Sequence, residues 1–181
     1  REAIFTNLTQ DHLDYHKNLN NYFLAKAKLF SALAANSTAI INNDDRYGRR
    51  IKLMTQAKVI TYGINNKADL RAKEIKFGLD FTEFTLVVDT KNMRIKTRLI
   101  GRYNIYNILA AIGWAMSQSI PLCVICSAIE EFKNVPGRLE RLSTSCRRNI
   151  FVDYAHTPDA LFNVISALRP LVKGKIVVIF G

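Results

Sequence analysis

Short apolar runs of strand length alternate with amphipathic helical stretches along most of this chain, and that alternation constrains its fold more than any other feature. Residues 3–8 (AIFTNL), 38–42 and 59–62 read as strands. Residues 19–33 read as a helix, because Tyr22, Leu29, Phe30 and Leu33 recur at helical spacings and form one stripe. A polar turn, NNDDRYG, leads into a second, basic helix over 49–56. From 68 to 100 the period changes to two: LRAKEIKF, FTLVVDT and MRIKTRLI, separated by LDFTE and KN, predict a small antiparallel meander. Helices are expected over 105–118 and 123–132. Beyond PGRLERL, a strand at 150–153, a helix over 158–172 and a strand at 175–180 predict a β-α-β unit. The whole reads as an α/β protein with a domain boundary within 136–142. It shows no internal repeat and no low-complexity stretch.

Composition narrows the class further. With 49% hydrophobic and 23% charged residues, the chain has the make-up of an ordinary globular protein, and its apolar runs are far too short to span a membrane. A net charge of +11 suits an anionic partner such as a nucleotide, a nucleic acid or an acidic membrane surface, and equally a plain solvated basic surface. Three cysteines without a secretory leader imply a reducing compartment, with the cytosol as the default. Cys123 and Cys126 form C-x-x-C in an apolar helical stretch, so buried packing is expected there rather than zinc or redox chemistry. The chain has no initiator Met, opens on a strand and closes on KIVVIFG, which reads as an internal piece of a longer protein.

Four segments carry residue types suited to chemistry. TNLTQDHLDYH follows the first strand, where α/β folds place ligand sites, and holds Asp11, His12, Asp14 and His16. From pattern alone it is a metal site, an acid–base site or a helix start capped by Thr9 or Asp11. LIGRYNIYNILAAIG carries Asn104 and Asn107 at a helix start, where Asn104 suits an N-cap. VPGRLERL places Arg138 after a Pro-Gly turn, and a planar guanidinium suits phosphate or ribose oxygens. VDYAHTPDAL puts Asp153 at the end of a buried strand and His156 in the loop before a helix, with Thr157 as N-cap and Pro158 in its first turn.

In order and spacing these segments resemble the Mur ligase family. TNLTQDHLDYH followed by YFLAKAKLF, together with VDYAHTPDAL, resembles its E type. The resemblance implies the C-terminal part of a central ATPase domain over 1–139, including the small antiparallel sheet, and the start of a Rossmann-like C-terminal ligase domain over 140–181. It implies that His12 helps bind Mg2+ and that Lys26, carbamylated by CO2, holds another edge of that metal site. A protonated amine cannot ligate Mg2+, whereas a carbamate offers a hard anionic oxygen. Lys28, two positions on, points to another helix face. Asn104 and Asn107 would lie by the ATP adenine, with Tyr103 where the family more commonly has Phe. Arg138 would lie near the nucleotide, Asp153 on the ribose and His156 near the phosphates, the last two reaching across on domain closure. Arg141, Arg147 and Arg148 have no family match and are expected to be solvated.

The activity so implied is ATP-dependent amide-bond formation in peptidoglycan synthesis. ATP phosphorylates the γ-carboxyl of D-Glu on UDP-MurNAc-L-Ala-D-Glu, and the amine of a diamino acid attacks the acyl phosphate. Meso-diaminopimelate is the expected third residue and lysine its rival. The protein would be a cytoplasmic monomer with small-molecule substrates, no nucleic-acid partner and no membrane insertion. No P-loop G-x-x-x-x-G-K-[ST] occurs in the sequence, so these 181 residues alone are expected to show no turnover. A folylpolyglutamate or cyanophycin synthetase is the rival enzyme, opposed by VDYAHTPDAL. A basic nucleic-acid-binding module is the rival of another class, opposed by the lack of any zinc-finger or RRM signature.

Overall fold

The computed structural model describes residues 1–9, 17–142 and 148–180. Three strands, β1 (Glu2–Phe5), β2 (Thr38–Asn42) and β3 (Lys58–Gly63), pair in parallel, with Glu2 opposite Thr38 and Thr38 opposite Lys58. Between them lie helices α1 (Leu19–Ser31) and α2 (Arg46–Lys52). Four of the five residues of β2 are buried, as expected of a central parallel strand covered on both faces.

The Asn18 side chain starts α1 by accepting the Asn21 N–H, and α1 turns Phe23, Ala27 and Phe30 onto Phe5, Ala39 and Ile41. Helix α2 begins earlier than the basic helix expected at 49–56. Asp45 caps it by accepting from the Tyr47 and Gly48 N–H groups, and Leu53 closes it. Gly48 lets this helix lie against the end of β2, since a Cβ there would stand 2.1 Å from the Asn42 carbonyl oxygen.

The expected meander forms as β4 (Leu70–Phe77), β5 (Thr82–Val88) and β6 (Lys91–Thr97), antiparallel to one another. It is continuous with the parallel strands, because β4 pairs with β3 at Leu70 and Arg71, giving one six-stranded sheet in chain order. Helices α3 (Arg102–Ser117) and α4 (Leu122–Glu131) cover the face opposite α1 and α2, with Ile105, Leu109 and Ile112 packed among Ile40, Tyr62, Leu70 and Leu86. Cys126 is buried beside Met93 as expected, but Cys123 is exposed. Alternate residues of β2 feed opposite cores, which is the two-residue period of a strand at work.

The C-terminal stretch holds β7 (Glu140–Leu142), antiparallel to β8 (Ile150–Val152), then α5 (Pro158–Leu168) and a 3-10 turn (Arg169–Leu171). Ile100, Leu139 and Leu168 form a third core that joins this unit to the start of α3.

Two expectations are corrected here. Strand β8 is not buried, its Ile150 and Val152 being 41% and 43% exposed. The β-α-β unit is also incomplete among the described residues: 175–180 joins no strand, and Val177, Ile179 and Phe180 are 80%, 94% and 79% exposed. A run apolar on both faces becomes a strand only between neighbours that cover it, and the three residues of β8 offer too short a parallel ladder.

Candidate functional site

The segment leaving β1 toward Asp11–His16 is fixed at its root. The Asn42 side chain donates to the Thr6 carbonyl at 2.8 Å, the Leu8 N–H donates to Asp45 at 3.2 Å, and the buried Tyr62 hydroxyl donates to the Phe5 carbonyl at 3.0 Å. This is the carboxyl edge of the parallel strands, where α/β proteins bind ligands. His12, expected to bind metal, lies outside the described residues together with Asp11, Asp14 and His16. Lys26 is half-buried on α1 and its Nζ stands 4.8 Å from the centre of the Tyr22 ring. It makes no ion pair among the described residues, so no carboxylate competes for its amine there. Lys28 is exposed on another face, as expected. No group of three metal-ligating His, Cys, Asp or Glu side chains gathers among the described residues.

Beside that root lies a residue the sequence reading passed over as part of a polar turn. Asp44 accepts the backbone N–H groups of Ile64, Asn65 and Asn66 at 2.6, 2.9 and 2.7 Å and the Tyr106 hydroxyl at 2.8 Å, which clamps the loop after β3 to α3. Arg102 donates to the Asn65 side chain at 2.6 Å from the same helix. Gly63 makes room, since a Cβ there would lie 3.1 Å from the Asp44 carboxylate. The available signal was an acidic pair at a strand's carboxyl end.

Burial alone would push the Asp44 carboxyl up, but the Asn65, Ile64 and Asn66 N–H groups and the Tyr106 hydroxyl outweigh it and hold the group below its ordinary range. A depressed folded-state pKa stabilises the fold above the unfolded value, and the stabilisation is lost as pH falls through the folded one. Asp44→Asn is therefore expected to destabilise the protein by about 1 to 2 kcal/mol near neutral pH, a range kept low for solvent screening. The gap from wild type should close below about pH 4. Urea unfolding of both proteins across pH checks this, and a gap that does not change with pH counts against the clamp.

The second group of residues meets at the seam between α3 and the C-terminal unit. Gly101, with φ of 97°, takes the N-cap position of α3, so Asn104 is not the cap. Asn104 is instead buried at 6% exposure. Its amide donates to the Ile100 carbonyl at 2.8 Å, and its oxygen accepts from the exposed Asn107 at 3.2 Å.

Across the seam, Asp153 accepts the Leu139 N–H on one oxygen at 2.7 Å and the Ala155 N–H on the other at 2.8 Å. The Tyr154 N–H returns to the Gly137 carbonyl at 2.8 Å. These bonds pin a turn in which Gly137 and Leu139, on either side of Arg138, both have positive φ, 68° and 47°. Arg138 is exposed, its guanidinium 5.5 Å from the Tyr154 ring centre, and the Tyr154 and His156 rings meet edge-on at 5.1 Å.

His156 Nδ1 lies 2.9 Å from the Tyr154 carbonyl. A carbonyl only accepts, so Nδ1 carries the hydrogen of this bond, on an exposed residue. Thr157 caps α5 by accepting the Ala160 N–H at 3.2 Å, with Pro158 in its first turn, as expected. The structure thus brings Arg138, Asp153 and His156 together, and packs them through Ile100, Leu139 and Leu168 beside the helix start bearing Asn104 and Asn107. No described contact joins Lys26 to this seam. Arg141, expected to be merely solvated, pairs with Asp80 and ties the hairpin to the β4–β5 turn.

Residues 1–115 match the family described as Mur ligase middle domain, and residues 137–181 match the one described as Mur ligase, glutamate ligase domain. A UDP-N-acetylmuramoyl-L-alanyl-D-glutamate--2,6-diaminopimelate ligase of Bacillus velezensis is 41% identical over 185 residues, covering 99% of this chain and 38% of that protein. A solved structure of the same description superposes with a TM-score of 0.79 at 31% identity, covering 95% of this chain and 36% of that one. The MurF ligase of Thermotoga maritima, solved in complex with ADP, superposes with a TM-score of 0.81 at 18% identity over 93% of this chain and 39% of that one, a likeness of fold alone. The chain spans less than two-fifths of the length of the curated relatives it matches.

Proposed function

Because the chain belongs to the Mur ligase family, we propose that it acts within an ATP-dependent ligase of peptidoglycan precursor synthesis, of the kind that adds a diamino acid to UDP-MurNAc-L-Ala-D-Glu. The observation that carries this reading is the identity of 41%, spread over 99% of the chain, to a relative so named. Residues 1–139 belong to the central ATP-binding domain and 140–181 begin the C-terminal ligase domain. Meso-diaminopimelate is the amine substrate and the enzyme is a cytoplasmic monomer. No helix among the described residues is long and apolar enough to cross a membrane.

Asn104 fixes the turn before α3, so that the exposed carboxamide of Asn107 is presented to the adenine edge, which one donor and one acceptor can pair. Asp153 keeps lone pairs on both oxygens after accepting its two N–H bonds, and these suit ribose hydroxyls. Arg138 lies near the nucleotide and His156 near the phosphates. His12 and carbamylated Lys26 hold Mg2+, an assignment that fits a half-buried amine committed to no carboxylate among the described residues. Bound there, the ion supplies positive charge against the phosphates and the acceptor carboxylate.

The test is an assay of a complete ligase carrying these residues. ADP and phosphate release is expected only when UDP-MurNAc-L-Ala-D-Glu and a diamino acid are both present, with kcat/KM higher for meso-diaminopimelate than for L-lysine. Release that ignores the peptide precursor overturns the proposal, and a preference for lysine overturns its choice of amine.

A further inference from the structure

Tyr103 is the second residue of α3 and lies in the seam itself. Its ring rests on Gly101, where a Cβ would approach Tyr103 Cε1 to 3.0 Å and the Ala167 Cβ of α5 to 3.3 Å. The hydroxyl is buried and has no hydrogen-bond partner among the described residues. A buried hydroxyl without a partner has given up hydration with no bond in return, so a donor is free there for an acceptor that comes within reach.

The nearby charges show which partner is at hand. Burial first, and then the negative charge of Asp153, push the Tyr103 hydroxyl up to about 12, opposed by the positive charge of Arg138. The phenol therefore stays protonated and remains a donor across the physiological range. Asp153 can take a further bond, since each of its oxygens accepts only one N–H among the described residues. One of those bonds holds the buried Leu139 in a left-handed conformation that a branched side chain rarely adopts, so the seam stores strain at the residue Asp153 pins.

We propose that Tyr103 is a positioning residue for nucleotide binding: when ATP occupies the seam, the Tyr103 hydroxyl donates to the Asp153 carboxylate and orients it toward the ribose. This rests on the ATP-ligase reading above. An orphaned donor on α3 and a strained, pinned turn across the seam then become two halves of one closure contact. The contact is made only in the liganded arrangement, which makes it a means of coupling occupancy to closure.

The decisive variant is Tyr103→Phe in a complete ligase, because it removes the hydroxyl and keeps the ring on Gly101. Without nucleotide its Tm should equal or exceed that of wild type, since an unpaired buried group has been deleted. The Kd for ADP, measured by calorimetry, should rise about tenfold, in line with loss of a hydrogen bond to a charged group. In an Asp153→Ala background, which leaves no acceptor, the same substitution should change Kd by less than about twofold, as expected of two residues that act through one bond.

A Kd within about twofold of wild type for Tyr103→Phe alone overturns the proposal. So does a lower Tm without nucleotide, which would show the hydroxyl already paired. A full tenfold effect that persists beside Asp153→Ala excludes Asp153 as the partner and overturns it too. If wild-type enzyme binds no ADP, the ATP reading itself fails, and that result is distinct from the other three.

Discussion

Lys26→Ala in a complete ligase is expected to reduce kcat by far more than tenfold while leaving the unfolding transition almost in place. Lys26 is half-buried on α1 with its Nζ over the Tyr22 ring and no ion pair among the described residues, so the polar contact its loss removes is a cation–π contact of about 0.5 to 1 kcal/mol. Ala is the better helix former and returns part of that. The catalytic loss comes from elsewhere, in the removal of an anionic oxygen from the proposed Mg2+ site. Short carboxylic acids added to the variant should restore part of the activity by occupying the vacated carbamate position. Lys28→Ala is the control: that side chain is exposed on another face, and its loss should be nearly silent. A Lys26→Ala enzyme that keeps more than about a tenth of wild-type kcat, a loss under about 1.4 kcal/mol, would show that no carbamate is needed there.

Asp153→Ala should act on affinity and turnover together, with KM for ATP rising more than tenfold and kcat falling, while KM for the UDP-linked peptide changes much less. Two effects combine. The ribose loses its acceptor, and the Leu139 and Ala155 N–H groups lose theirs at 2.7 and 2.8 Å, which frees a turn held at positive φ. Asp153→Asn separates them, because an amide keeps one accepting oxygen and can still hold one of the two N–H groups. It should therefore lie between wild type and Asp153→Ala in both KM and thermal stability. If Asn and Ala behave alike in KM while differing in stability, the ribose contact dominates the kinetic effect. A closed complex with an ATP analogue whose ribose lies away from Asp153 would defeat the bridging role.

How much was legible in advance depended on the distance in the chain over which each feature is decided. The parallel strands, the meander over 68–100, the helix beginning at Thr157 and Pro158, and the placing of Lys26 and Lys28 on different faces of α1 all rest on periodicity or caps. Each of those signals is complete within a few residues. The start of α2 was missed although its cap is local, because Asp45 sits in a run of polar residues that offers several capping candidates.

Asp44 shows the opposite case. Its partners lie 20 to 22 residues away in the loop after β3 and 62 residues away at Tyr106, so no local pattern marks it as a clamp. Asn104 looked like a cap and turned inward once Gly101 took that position, and Arg141 found Asp80 across 61 residues.

The sequence by itself determined the α/β class, the strands and helices of the six-stranded sheet region and the family, because these follow from the identity and spacing of near neighbours. Only the tertiary structure decided that β8 pairs with β7 in an exposed hairpin, that 175–180 pairs with no described strand, and that both Asp153 oxygens accept backbone N–H groups while the Tyr103 hydroxyl is buried without a partner among the described residues. The physical reason is that a buried polar group must find its bond wherever packing delivers one, and packing is a property of the assembled cores rather than of any single segment.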